Sequence, residues 1–362
     1  MPEPIPATAQ TVAGIRQPET TWLSEGLGTR ITGLESRVIG SSRGFVSTTW
    51  RLRLEADPPG SAPPSLVLKS ESSNPQFQAI AREQRCFERE ISLYRQLAAS
   101  MQEHIPHVLA MGHAGDRWLL MEDLSHLRAG DQVRGMSQEE SRAVVRRIAA
   151  IHARFWMDSR LLEQDWLPSH NFWFQKPQPS AWEPFLRDYG LRLGDSLNQL
   201  VQAVLAQETE IDAALAQRPW SLVHGDLRAD NLLFGGVLNN PSATIVDWAA
   251  ATRSLAAIDL AFLLGGSEPI AERSGHLNEL FYLWHGELLA HGVRDYPLHE
   301  AHRDLQLAAL RCMTTAIKLY ELLDGPGISN RAALFFDQAI ERHCNMLLEL
   351  SAWEALPQPI AG

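Results

Sequence analysis

Cysteine is scarce: Cys86, Cys312 and Cys344 are the only three in 362 residues. Their wide spacing excludes a disulfide scaffold and any zinc-type pairing, and points to a reducing, cytosolic setting. Positive charge is also short, with 32 Lys and Arg against 43 Asp and Glu and a formal net charge of -11. That balance argues against a nucleic-acid or anionic-membrane partner, since phosphate binding wants a basic face. The start, Met1–Gln10, shows no basic segment leading into an apolar run, so no signal peptide is expected. The best apolar stretch, Leu260–Leu264, is far too short to span a bilayer. Internal repeats and long low-complexity tracts are missing too. What remains is an ordinary globular composition, 45% hydrophobic and 21% charged, on a length that suits one large domain or two lobes.

Residues 1–30, rich in Pro, Thr and Ala, read as an irregular lead-in. Residues 31–70 read as β-rich. Val46, Thr48, Trp50, Leu52 and Leu54 share one face of an alternating strand, with Arg51 and Arg53 on the other. Asp57–Pro64 is a turn, and Leu66–Leu68 is a buried strand ending at Lys69. A helical pattern follows over 76–100, then a strand at Trp118–Met121. Ser137 with Glu140 three residues on is a capping box that opens the next helix. The remainder is helical, over about 256–264, 270–291, 298–323 and 330–350, apart from short strands between 221 and 247. The expected class is α+β in two lobes: an N-lobe over 31–124 and a C-lobe over 125–362.

The informative segment is His224-Gly225-Asp226-Leu227-Arg228-Ala229-Asp230-Asn231. It joins two short strands and holds an Asp and an Asn five residues apart. Ile245-Val246-Asp247-Trp248 places a second Asp after a third strand. Phosphoryl transfer needs such a set. One carboxylate orients a hydroxyl and takes its proton, and oxygen ligands hold Mg²⁺ on the nucleotide phosphates. The protein-kinase loop H-R-D-x-x-x-x-N has the same Asp-to-Asn spacing. Here Gly225 replaces its Arg, there is no A-P-E stretch, and only twelve positions separate Asp247 from Asp259. A peptide-docking activation segment has no room, which disfavours a protein kinase.

These motifs resemble the aminoglycoside phosphotransferase and choline kinase superfamily, marked by H-G-D-x-x-x-x-N and a later I-D-W, with Val246 in place of Ile. The resemblance covers roughly residues 35–265 and implies a two-lobed protein-kinase-like fold and ATP-dependent phosphorylation of a small molecule. It assigns Asp226 as the catalytic base, Asn231 and Asp247 as Mg²⁺ ligands, and Lys69 as the phosphate-binding lysine positioned by Glu90, with Glu88 a competitor. The Glu122-Asp123-Leu124 stretch resembles the hinge, where the backbone of Glu122 and Leu124 meets adenine. Gly40, Ser41 and Ser42, leading into Arg43 and Gly44, read equally as a nucleotide loop or a plain hairpin turn. Arg228 reads as a contact to the transferring phosphoryl group or as an exposed loop residue. Asp230 reads as a turn-former, His224 and Asp259 as structural support, and His152 as a satisfied core histidine.

The alternative from another class is a nucleotide-binding pseudokinase or scaffold without turnover. Two acceptor readings stand as well. Acidic residues over 267–304 (Glu268, Glu272, Glu279, Glu287, Asp295, Glu300 and Asp304) form either a pocket for polycationic sugars or a solvated face. Ile148–Trp156 instead resembles the ecdysteroid-kinase-like branch and implies a hydroxylated, partly apolar acceptor.

Overall fold

The computed structural model describes residues 11–12, 15–16, 18–40, 47–72, 74–101, 104–112, 117–169, 179–237, 240–273, 275–322 and 330–359. It divides into two compact units, Met1–Arg128 with Ile245–Ala249, and Ala129–Thr244 with Ala250–Gly362. A single cut near residue 124 therefore misses one feature: the Asp247 turn is built with the first unit although its sequence neighbours belong to the second.

The first unit contains β1 (Thr11–Val12), β2 (Ile15–Arg16), α1 (Thr20–Leu27), β3 (Arg30–Ile39), β4 (Ser47–Asp57) and β5 (Ser65–Glu71). It continues with α2 (Pro75–Glu83), α3 (Cys86–Gln96), β6 (Val108–Met111) and β7 (Trp118–Glu122), and β8 (Arg128–Ala129) lies at the unit boundary. Five strands form one antiparallel sheet in the order β3-β4-β5-β7-β6. Strand alternation explains its two faces. Leu52, Leu54, Leu66, Leu68, Trp118 and Leu120 bury together on one face, against Trp22 and Leu23 of α1. The lead-in expected through residue 30 thus contains a helix. Two adjacent large apolar residues, Trp22 and Leu23, hold it, both under 5% exposed. The helical pattern over 76–100 is broken in two by Arg85, whose φ of 52° is left-handed.

The second unit holds α4 (Gln138–Arg154), α5 (Trp182–Leu193), α6 (Asp195–Ala206), α7 (Glu208–Ala216) and β9 (Trp220–Val223). It continues with β10 (Leu232–Val237), β11 (Asn240–Ile245), β12 (Thr252–Leu255) and α8 (Ala257–Ser267). It ends with α9 (Ile270–Arg273), α10 (Leu277–Ala290), α11 (Leu298–Leu322) and α12 (Asn330–Glu349). β11 opens at Asn240, directly before Pro241. The capping box at Ser137 forms as its spacing requires: Ser137 Oγ accepts from the Glu140 amide and Glu140 Oε2 from the Ser137 amide. The run AIDLAFLLGG is apolar all round because α8 is central, packed by α11 and α12. Its one carboxylate, Asp259, is fully buried and faces the loop after β9, which pairs antiparallel with β12.

Candidate active site

Alternation along β5 puts Lys69 on the face opposite Leu66 and Leu68, toward α3. There Lys69 Nζ lies 2.6 Å from Glu90 Oε2 and 2.7 Å from Asp247 Oδ1. Lys69 is 5% and Glu90 1% exposed, so this is a buried pair with a part-exposed third member. Burial pulls the ammonium down, but the two carboxylates more than offset it, and Lys69 is held above its ordinary value. Glu88 does not compete: half exposed, it pairs with Arg85. Asp247 itself has a left-handed φ of 66°. Its turn is fixed by Arg89, which donates to the Ala249 carbonyl at 2.9 Å, and by the fully buried Trp248, whose Nε1 donates to Ile245 O at 3.3 Å. One turn of α3 therefore supplies both Glu90 and the tether of the Asp247 segment.

In the second unit, β9 delivers the chain into the loop 224–231. Gly225 has φ 80°, and a Cβ there would come within 2.4 Å of the Ala250 carbonyl oxygen, so the arginine of the protein-kinase loop has no place. Asp259 accepts from the His224 amide at 2.7 Å and the Gly225 amide at 2.9 Å. It also meets His152 Nε2 at 3.2 Å, while Trp284 Nε1 donates to His152 Nδ1 at 3.1 Å. That bond makes Nδ1 the acceptor and gives Nε2 the proton it donates to Asp259. His224 Nδ1 in turn accepts from the Asp226 amide at 3.2 Å. The Asp226 carboxylate takes Asn231 Nδ2 at 3.0 Å and Arg228 Nε at 3.2 Å from each oxygen. Its side chain is 18% exposed.

The chemistry of the donors fits Mg²⁺. Asn231 commits its amide nitrogen to Asp226, to the carbonyl at 2.9 Å as well as the carboxylate. Its oxygen is then the end suited to a hard cation. Among the described residues no three His, Cys, Asp or Glu gather as metal ligands. Mg²⁺ on a nucleotide asks for less, one or two protein oxygens beside the phosphates.

The model of the phosphotransferase enzyme family matches residues 42–285. The chain belongs to that family. Solved structures agree on a protein-kinase-like fold. A Ralstonia eutropha protein assigned as an aminoglycoside phosphotransferase aligns with TM-score 0.55 at 17% identity, covering 94% of this chain and 98% of that one. The ethanolamine kinase of Plasmodium vivax aligns with TM-score 0.52 at 13% identity, covering 88% and 83%. A microcompartment-associated aminopropanol kinase aligns with TM-score 0.51 at 15% identity, covering 93% and 99%. No curated protein matches the chain.

The remaining residues of this phosphotransferase fall as follows. Gly40 follows β3 with a left-handed φ of 67°, while Ser41, Ser42, Arg43 and Gly44 lie outside the described residues. Glu122 exchanges two bonds with His107: its amide donates to the His107 carbonyl at 3.0 Å, and its carboxylate accepts the His107 amide at 2.7 Å. Leu124 accepts from the Leu127 amide at 2.9 Å. A cavity of about 400 Å³ beside this segment is lined by Leu66, His107, Leu109 and Glu122. Four of the seven acidic residues over 267–304 are paired with arginines. Glu279 pairs with Arg142, Glu287 with Arg146, and Glu300 and Asp304 with Arg218. Three groups escaped the sequence reading: Arg89, Gln132 and Arg331. Gln132 Oε1 accepts from the Ala229 amide at 2.7 Å. Its partner lies 97 positions away, and no local pattern marks it.

Proposed function

We propose that this phosphotransferase moves the γ-phosphoryl group of ATP to a hydroxyl of a small molecule. The observation that carries the reading is the buried Lys69, held between Glu90 and Asp247 at 2.6 and 2.7 Å. A lysine fixed in this way is matched to nucleotide phosphates rather than to solvent. Lys69 binds the α- and β-phosphates and Glu90 keeps it aimed. Asp247 and Asn231 supply oxygens to Mg²⁺, which neutralises charge on the phosphates when bound. Backbone groups of Glu122 and Leu124 meet the adenine edge. Asp226 orients the acceptor hydroxyl and takes its proton, and Arg228 meets the charge that develops on the transferring group.

The pairing of Glu279, Glu287, Glu300 and Asp304 with arginines favours a neutral hydroxylated acceptor over a polycationic one. Three buried free cysteines suit a cytoplasmic setting. No described helix is long and apolar enough to cross a membrane. The test is a mass-spectrometric screen of sugars, amino alcohols, antibiotics and sterols with Mg²⁺ and ATP. Asp226→Ala is expected to abolish transfer while ADP binding survives. Turnover by that variant refutes the assignment, and nucleotide binding without transfer to any hydroxyl favours a pseudokinase.

A further inference from the structure

We infer that Asp230 is a positioning residue that aims the Arg228 guanidinium at the transferring phosphoryl group, with α12 as its anchor through Arg331 and Phe335. This inference rests on the phosphotransfer reading above. A turn-forming Asp spends its carboxylate on its own backbone two residues on. Asp230 does not. Its side chain is 2% exposed and accepts from the Gln132 amide at 3.0 Å, Arg228 Nη1 at 3.1 Å and Arg331 Nη2 at 2.9 Å. Arg331 reaches Asp131 as well, at 3.3 Å. Arg331 lies 101 positions from Asp230, on the first turn of α12.

Arg228 is gripped at both ends. Nε sits 3.2 Å from both Asp226 oxygens and Nη1 is on Asp230, while Cζ lies 5.4 Å from the Phe335 ring centroid. Its side chain is only 11% exposed. An arginine left free in a loop would lose several rotors of entropy each time it met a phosphoryl group. Fixed by a carboxylate and a ring, it meets that charge preorganised, which is where electrostatic catalysis gains. An acceptor hydroxyl that displaces Nε from one Asp226 oxygen leaves Arg228 still held by Asp230 and Phe335. Asp230 is thereby committed, and its charge is not offered to the acceptor.

The test is a double-variant cycle on Mg²⁺-dependent ATP hydrolysis by the full chain, with water as acceptor and ADP affinity measured alongside. Arg228→Met is expected to lower kcat roughly 100-fold, as loss of a transition-state donor does. Asp230→Asn is expected to lower it about 10-fold with KM for ATP and ADP affinity within twofold. The double variant is expected to be no slower than Arg228→Met alone, because Asp230 acts through Arg228. Arg331→Lys is expected to retain what Arg331→Met loses. If Asp230→Asn does not fold, Arg331→Met carries the same cycle, its side chain being 27% exposed. Losses that multiply in the double variant, or a lowered Tm with kcat unchanged, overturn the positioning role. A wild type that neither binds ADP nor turns over ATP overturns the phosphotransfer reading instead.

Discussion

Replacing Lys69 by Met removes the cation between Glu90 and Asp247 and leaves both carboxylates in place. Each lies within 2.7 Å of the nitrogen that is lost, and Glu90 is 1% exposed. Removing one partner of a buried pair costs about 3–5 kcal/mol, because the charge left behind has no compensation. A chain of this length loses roughly 0.8 kcal/mol of stability per degree near its midpoint, so the expected drop in Tm is roughly 4–7 °C. The sign with pH follows from Glu90. Burial already pushes its carboxyl above 4.5, with Asp247 adding to the push and Lys69 opposing it. Without Lys69 it rises further. A carboxyl whose folded value is raised carries no penalty below its unfolded value, and the penalty grows as pH climbs through the folded value. The gap to wild type is therefore narrow at pH 5 and wide at pH 8. Adding Glu90→Gln removes one of the two facing charges and is expected to recover half or more of the loss at pH 8. Thermal unfolding followed by circular dichroism from pH 5 to 8 reads all of this. A loss that is flat with pH, or a double variant less stable than the single one, refutes the reasoning.

Two further outcomes follow from buried groups outside the Lys69 cluster. His343 is fully buried against Phe262, and burial, with Arg273 and Arg342 adding to it, pulls its imidazole down to about 3. The native state keeps it neutral while the unfolded chain protonates below 6.5, so stability falls as pH drops from 6.5 toward 3. This one group removes about 2 kcal/mol between pH 6.5 and pH 5, and His343→Leu is expected to flatten the acid side of the stability curve; an unchanged slope counts against the assignment. Asp259→Asn keeps the side-chain shape but cannot accept from both loop amides and His152 together. It is expected to lower kcat by roughly 10–100-fold with ADP affinity unchanged, because Asp259 shapes the loop of Asp226 and not the Lys69 cluster. Equal kcat in steady-state ATP turnover sinks that account.

The candidate catalytic and metal-binding residues were legible because their spacing is local. Asp226 and Asn231 must sit five apart on one loop, and Asp247 must follow a strand. Periodicity carried the fold class for the same reason: Leu66 and Leu68 alternate with Lys69, and Ser137 signals a helix through Glu140 three residues on. The helix Thr20–Leu27 was not legible, since eight residues with two buried side chains give too little period to see. Glu90 and Glu88 were separable only by face, and the break at Arg85 that turns Glu90 inward is a backbone event that propensity does not announce. The supports were least legible of all. Arg331 reaches Asp230 across 101 positions and Gln132 reaches Ala229 across 97, and a sequence read in windows holds no trace of such pairs.

That asymmetry changes what the excess of acid means. The 43 carboxylates outnumber the basic residues, yet those nearest the chemistry are spent internally. Asp259 holds two loop amides, Asp230 holds two guanidiniums, and Asp247 and Glu90 hold Lys69. A buried carboxylate can do this only if its desolvation is offset by donors, and each of these has them. The net charge of -11 is therefore carried by other residues, and the catalytic loop with its Arg228, Asp230 and Arg331 is close to balanced. Under the proposed phosphotransfer, selection among acceptors is then expected to rest on shape and hydroxyl placement around Asp226, where a neutral polyol and a polycation differ in what they leave unpaired.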